Sequence, residues 1–255
     1  MDFELLHGCL TSLFLHLVRT GAFLSVVPLF GQQRDTVMLR LVLSVALGAV
    51  FWWVGPHSVQ LPPGLLALGV TAVREAFVGL LLGFALSTLL NVLVSAGEVV
   101  SSEMGFSMAR VMNPETGIDA TVVSQLFQVF GFLLVLHFNL HHEALRILEQ
   151  TFTAIPVGAC FDLEPLWQGI RVLISESLLF SLQYAIPVLG VMVLLTGTLV
   201  LLARAVPNIN LMEFSFAARV MLALLASAWF LVDGAPFLCR AFGTLLDHTR
   251  AMFAT

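Results

Sequence analysis

His137 and His141 stand four residues apart with Glu143 two places beyond, a spacing by which one helix face can offer two imidazoles and a carboxylate to a metal ion. The order fits neither His-Glu-x-x-His nor its inverse, and a polar helix end capped by histidines accounts for the same residues. A second group is the ionisable residues set inside apolar stretches: Arg19, Arg40, Arg74, Glu75, Glu98, Arg171, Glu176, Arg219 and Asp233. A charge in such a place is costly and calls either for a counter-charge on another helix or subunit or for a proton or ion path. Arg74 and Glu75 are neighbours in sequence and do not face each other on a helix, so each is expected to meet a partner elsewhere.

Met104, Met108 and Met112 recur every fourth residue with Phe106 among them, in a stretch broken by Asn113, Pro114 and Gly117. On a helix they form one soft stripe. Thioethers conform to irregular partners, so the stripe is either ordinary core or a seal over a changing opening. No phosphate-binding glycine loop, GxSxG elbow or kinase-like set occurs, and these are the patterns that nucleotide and acyl-transfer chemistry would need. The chain is expected not to be an enzyme, with no cofactor and no resident metal.

The elements that hold these residues follow from composition: 59% hydrophobic, 11% charged and a mean hydropathy of +0.99 over 255 residues. A soluble fold could not bury that much apolar surface. The fold class expected is all-α, a polytopic integral membrane protein of long tilted helices and helical hairpins. Against the roughly 20 apolar residues that cross a bilayer, six segments qualify, at residues 5–30, 37–54, 65–94, 118–136, 170–203 and 211–232, with a weaker seventh after Gly234-Ala235-Pro236. The segments beginning at Leu65 and Ile170 are too long for one upright crossing, so they tilt strongly or extend past the lipid. Gly79 and Gly83 form a small-xxx-small pair that favours close helix contact. Residues 97–117, 137–165 and 207–210 read as punctuation between helices.

All eleven basic residues are arginine and the net charge is -5, which leaves no basic patch for nucleic acid. Cys9, Cys160 and Cys239 lack metal or redox spacing and read as packing residues. The acidic start, Met1-Asp2-Phe3-Glu4, differs from a secretory leader, so the first helix is expected to be retained. Six ordinary crossings would set Arg34, Arg40, Arg110 and Arg204 against Arg146, Arg240 and Arg250. That shows no positive-inside bias, so several helices need not cross in simple alternation.

Three blocks in order carry a family resemblance. The first is Arg74-Glu75 with Gly79 and Gly83, running into AGEVVSSEMGFSMA at 96–109, then Pro114 and Gly117. The second is SQLFQVFGFLLVLHFNLHHEALRILEQTFTAIPVG at 124–158, and the third is Arg204-Ala205-Val206-Pro207-Asn208-Ile209-Asn210 after a long helix holding Pro187. Together with the Arg19 helix and Pro28-Leu29-Phe30, they make the chain resemble the FliR/SctT/SpaR family of type III export-gate R subunits over nearly its whole length. Leu140 stands where that family usually has glycine before its paired histidines, and Glu213 where it has an apolar or small residue.

The resemblance implies a core subunit of the flagellar export gate in the bacterial inner membrane, at the flagellar basal body, with the virulence injectisome as the alternative setting. It implies P and Q companion subunits, FlhB and FlhA as further partners, and unfolded flagellar proteins as the substrates exported. It also implies a P-like part at 1–169 and a Q-like helical hairpin at 170–255 turning at Pro207, Asn208 and Asn210. A pore plug is implied at Met104, Phe106, Met108, Met112, Pro114 and Gly117. Inter-helix or inter-subunit polar contacts are expected at Arg74, Glu75, Glu98, Glu103, His141, His142, Arg204, Asn210 and Glu213. Two unrelated readings compete: a secondary transporter with a midplane charge site, for which no internal repeat is found, and a membrane metalloprotease built on His137, His141 and Glu143.

Overall fold

A computed structural model of the chain describes residues 3–27, 37–55, 64–105, 122–159, 163–205 and 211–253. Among them are eight helices and no strand: α1 (Phe3–Val26), α2 (Val37–Val54), α3 (Leu65–Met104), α4 (Val122–His137), α5 (Leu140–Ala154), α6 (Leu163–Ala205), α7 (Leu211–Asp233) and α8 (Ala235–Phe253). Stretches of α1, α2, α3 and α6 are each long and apolar enough to cross a membrane, and the bent pairs α4–α5 and α7–α8 raise the number of spans to as many as six. The protein is an all-α polytopic membrane protein.

α3 has 40 residues and α6 has 43, which at 1.5 Å per residue is roughly 60 Å each. A tilt of about 40° stretches a crossing of a 30 Å core only to about 39 Å. Both helices therefore extend past the hydrocarbon.

Two of the breaks expected from the sequence are helical. α3 continues through Gly97 to Met104, because one glycine without a proline weakens a helix but does not stop it. It ends at Gly105, whose φ of 88° and N–H bond to the Ser102 carbonyl (3.1 Å) close the last turn, as a glycine C-cap does. Within 137–165 lies α5, which buries Ala144, Ile147, Leu148, Thr151 and Phe152, the i, i+3, i+4, i+7, i+8 stripe of an amphipathic helix. α6 also starts earlier than expected, at Leu163.

α4 ends at His137 and α5 begins at Leu140. Asn139 makes the corner at φ 55°, ψ 27°, a left-handed conformation that asparagine tolerates better than most residues. It is the only described non-glycine residue with positive φ, so Leu140 begins α5 without strain.

The chain packs as two compact units. The first holds Met1–Leu89, Val135–Ile174 and Thr244–Thr255; the second holds Leu90–Leu134 and Ser175–Gly243. In the first, α3 lies on α1 through Gly79 and Gly83: a β-carbon on Gly79 would run into the Arg19 carbonyl, and one on Gly83 would stand 2.8 Å from the Phe23 carbonyl. The matched order, 79 on 19 and 83 on 23, makes α1 and α3 parallel neighbours. α2 buries only Ser44 and Gly48, the latter against Leu17 of α1. Cys9 is exposed instead of packed.

The second unit centres on Leu93, Ala96, Val100 and Met104 of α3, Val188 and Met192 of α6 and Ala223 of α7, all at most 2% exposed. Tyr184 donates to the Phe230 carbonyl (3.3 Å). Its ring lies edge-on to Phe127 and beside Phe237. Gly234 leaves room for that ring, since a β-carbon there would be 2.6 Å from it.

The two kinds of helical glycine predict opposite mutational effects. Gly79→Val must part α1 from α3 and is expected to lower stability by at least about 1–3 kcal/mol. Gly69→Ala meets nothing within 4 Å and is expected to be neutral or to gain about 0.5–1 kcal/mol. Thermal unfolding of the detergent-solubilised protein distinguishes them.

Candidate functional site

Arg19 is fully buried in α1, where an unpartnered guanidinium would be prohibitive. Glu75 of α3 answers it: Arg19 Nε and Nη2 both lie 2.6 Å from Glu75 Oε2, with the side chains 0% and 4% exposed. Arg19 Nη1 donates to the Thr151 carbonyl at 2.9 Å and Nη2 to the Ile155 carbonyl at 3.0 Å. The guanidinium carbon sits 4.6 Å from the centre of the Phe152 ring, within cation–π range.

Local sequence explains why these acceptors are there. Thr151 lies in the last turn of α5 and Ile155 is its C-cap, and the final carbonyls of a helix lack intrahelical donors and carry partial negative charge. The chain then turns at Pro156–Ala159, closed by the Ala159 N–H to the Pro156 carbonyl (3.0 Å). Gly158 takes φ 86° in that turn, which glycine adopts without a side-chain penalty. Its N–H donates to Glu75 Oε1 at 2.9 Å. His16 of α1 stacks on Phe152 at 4.9 Å, and Phe51 of α2 packs on the same ring at 5.5 Å. Four helices and one turn converge on one ion pair.

Both carboxylate oxygens of Glu75 and all three guanidinium nitrogens of Arg19 are engaged. The arrangement therefore ties helices together and presents no vacant group for proton transfer or ligand capture. Arg74, beside it, is exposed.

Glu143 is also committed. Arg146 Nη1 holds its Oε1 at 2.8 Å and Arg250 of α8 holds its Oε2. His141 and His142 lie ring against ring at 4.1 Å, and His137 contacts Phe138. Among the described residues no group of three His, Cys, Asp or Glu is placed to hold a metal ion. The arrangement at Glu143 is an arginine-bridged joint between α5 and α8, unlike the open carboxylate that a metalloprotease needs.

Of the other residues singled out, Met104 is fully buried at the end of α3, Glu98 is half-buried, and Glu103 and Arg204 are exposed. Glu213 falls in the first turn of α7. Phe106, Met108, Met112, Pro114, Gly117, Pro207, Asn208 and Asn210 lie outside the described residues. Arg219 of α7 has its Nε buried without a hydrogen-bond partner among the described residues.

Sequence reasoning singled out Arg19 and Glu75 separately but missed Thr151, Ile155 and Gly158, which contribute backbone groups. The available signal was Ile155-Pro156-Val157-Gly158 closing an amphipathic helix, a helix stop followed by a turn.

Residues 10–247 match the model of the family described as bacterial export proteins, family 1. The chain belongs to that family. It is 26% identical over 209 residues to the flagellar biosynthetic protein FliR of Bacillus subtilis, covering 80% of this chain and 79% of the relative. To the FliR of Escherichia coli it is 25% identical over 247 residues, covering 92% and 89%. To the surface presentation of antigens protein SpaR of Salmonella typhimurium it is 25% identical over 224 residues, covering 82% of each. Membership of the FliR/SpaR family thus spans most of the chain, as the three sequence blocks imply.

Breaking the buried pair is expected to be severe. Arg19→Met leaves Glu75 without its counter-charge and should cost about 3–5 kcal/mol. Glu75→Gln, which keeps an acceptor, should cost about 1–3 kcal/mol. Arg19→Lys should rescue little, because an ammonium lacks the planar fork that reaches three acceptors at once. Yield and thermal unfolding of the membrane-extracted protein give the ranking; an Arg19→Lys variant as stable as wild type would contradict the geometry.

Proposed function

We propose that this chain is the R-type core subunit of the bacterial flagellar type III export gate, forming part of the passage and its plug for unfolded flagellar proteins. The observation that carries the reading is near full-length similarity to proteins named flagellar biosynthetic protein FliR, at 26% and 25% identity over 80% and 92% of the chain. In this reading the subunit assembles with P and Q companions and works beside FlhB and FlhA in the inner membrane, at the flagellar basal body. Residues 1–169 are its P-like part, and residues 170–255 its Q-like hairpin turning at Pro207, Asn208 and Asn210.

Physical features of the chain support an assembled state. The described residues include exposed Met38, Trp53, Leu194 and Trp229, and a buried Arg219 nitrogen without an acceptor. A charge in an apolar span is satisfied more cheaply by a neighbouring protein than by lipid. Arg74, Glu98, Glu103, His141, His142, Arg204, Asn210 and Glu213 are the polar residues proposed to meet neighbouring helices or subunits. No catalysis is assigned to this subunit, so energy for export comes from its companions.

The plug is placed at Met104, Phe106, Met108, Met112, Pro114 and Gly117, where flexible thioethers can close round an irregular opening. A second reading, the same subunit in a virulence injectisome, is favoured by the 25% identity to SpaR. Flagellar or needle-complex genes beside this one would decide between them.

Tagged chain is expected to co-purify with P and Q subunits; recovery of a stable, monodisperse single chain without them would overturn the assembly reading. Replacing Met104, Met108 and Met112 by glycine is expected to raise ion or small-solute leakage through the assembled gate. Unchanged conductance with the complex intact would remove the plug from this segment.

A further inference from the structure

α2 and α3 turn large apolar side chains outward, among them Met38, Val42 and Trp53 of α2 and Leu66, Val70 and Val73 of α3. α5 does the reverse. Its exposed residues include His142, Arg146, Glu149 and Thr153, all polar and spaced so that they share one helix face. Its apolar residues Ala144, Ile147, Leu148 and Phe152 are buried. The end of α8 is built in the same way, with Thr244 and Asp247 exposed over buried Leu245, Leu246, Met252 and Phe253.

The two polar faces are joined. Glu143 accepts from Arg146 at 2.8 Å and from Arg250 of α8, and Arg250 Nη1 lies 3.4 Å from Asp247 Oδ1. α5 and the end of α8 both belong to the first compact unit. The Arg146 and Asp247 side chains are 64% and 75% exposed, so the bridges leave much of each charge uncovered. Uncovered charges of this kind are costly against acyl chains, and exposed ion pairs return little of that cost. In water they lose none of their hydration. Each of the bent pairs α4–α5 and α7–α8 reaches bilayer length only when its two helices are taken together, and one helix of each pair carries such a face.

We infer that α5 and the end of α8 present a single water-facing surface in one aqueous compartment, and that α6 and α7 leave and return to that compartment as a membrane hairpin. Neither bent pair is then a single crossing, because one of its helices ends in water. The contact between Glu143 and Arg250 fixes the sidedness, since two residues that touch through exposed charges lie on the same side of a bilayer. The chain therefore crosses an even number of times between Ala154 and Thr244. α6 is long and apolar enough to cross. Among the described residues the helix available to undo that crossing is α7, with 23 residues and exposed Phe216, Met221, Leu225 and Trp229; the nine residues of α8 before Thr244 are too few. Neither step uses the export-gate reading.

The test uses the full chain in its native membrane with the companions it retains, carrying Cys9→Ser, Cys160→Ser and Cys239→Ser. Single cysteines are then placed at exposed positions by Glu149→Cys on α5, Ala251→Cys on α8, Ala205→Cys at the end of α6 and Val45→Cys on α2. A sulfonated, membrane-impermeant maleimide is applied to spheroplasts and, separately, to inverted vesicles. Glu149→Cys and Ala251→Cys are expected to react many-fold faster from the same one side, Ala205→Cys from the opposite side, and Val45→Cys from neither. Reaction of Glu149→Cys and Ala251→Cys from opposite sides would overturn the shared compartment. Protection of Glu149→Cys from both sides, with full reaction once the protein is denatured, would show lipid or another protein covering α5 and overturn the aqueous face. Reaction of Ala205→Cys from the α5 side, or from neither side, would overturn the hairpin.

Discussion

A guanidinium inside an apolar bundle must find an acceptor for each of its nitrogens, and that requirement organises the first unit. Arg19 meets it with one carboxylate and two carbonyls. Glu75 in turn takes the Gly158 N–H. Sliding α3 along α1 by one turn, about 5.4 Å, would separate the pair and move Gly79 away from the Arg19 carbonyl it must clear. The polar pair and the glycine contact therefore select the same register. In lipid, where apolar side chains gain little by leaving their solvent, such polar ties and close glycine approaches discriminate between packings.

How much of this was legible depended on whether the signal was local. Long apolar runs marked α1, α2, α3, α4, α6 and α7, because a bilayer-length ruler responds to bulk hydropathy. α5 escaped it: Glu143, Arg146, Glu149 and Gln150 lower its mean hydropathy, while Ala144, Ile147, Leu148 and Phe152 keep a buried stripe. The period of 3.6 was present, but the ruler did not weigh it. Gly97 read as a break, yet in the folded chain it admits Ser124 and Phe127 to the side of a continuous helix.

The site was less legible than the fold. Arg19 and Glu75 were visible as charges out of place, but they lie 56 residues apart, and no spacing rule connects them. Two of the acceptors for Arg19 are carbonyls, which every residue carries and which only α5's end makes available. At Glu143 the sequence spacing left a metal and a polar helix end as alternatives, and the folded chain uses the carboxylate to hold arginines from two helices.

The distance along the chain between Arg19 and its last acceptor, 136 residues, bears on biosynthesis. A nascent chain delivers the cation in α1 long before the Thr151–Gly158 turn exists to receive it. Until that turn has left the ribosome, α1 carries an uncompensated charge which the translocation machinery, water or head groups must shelter. Membrane integration of α1 is thereby coupled to translation of residues 151–158, and a product truncated before that turn would leave the charge stranded.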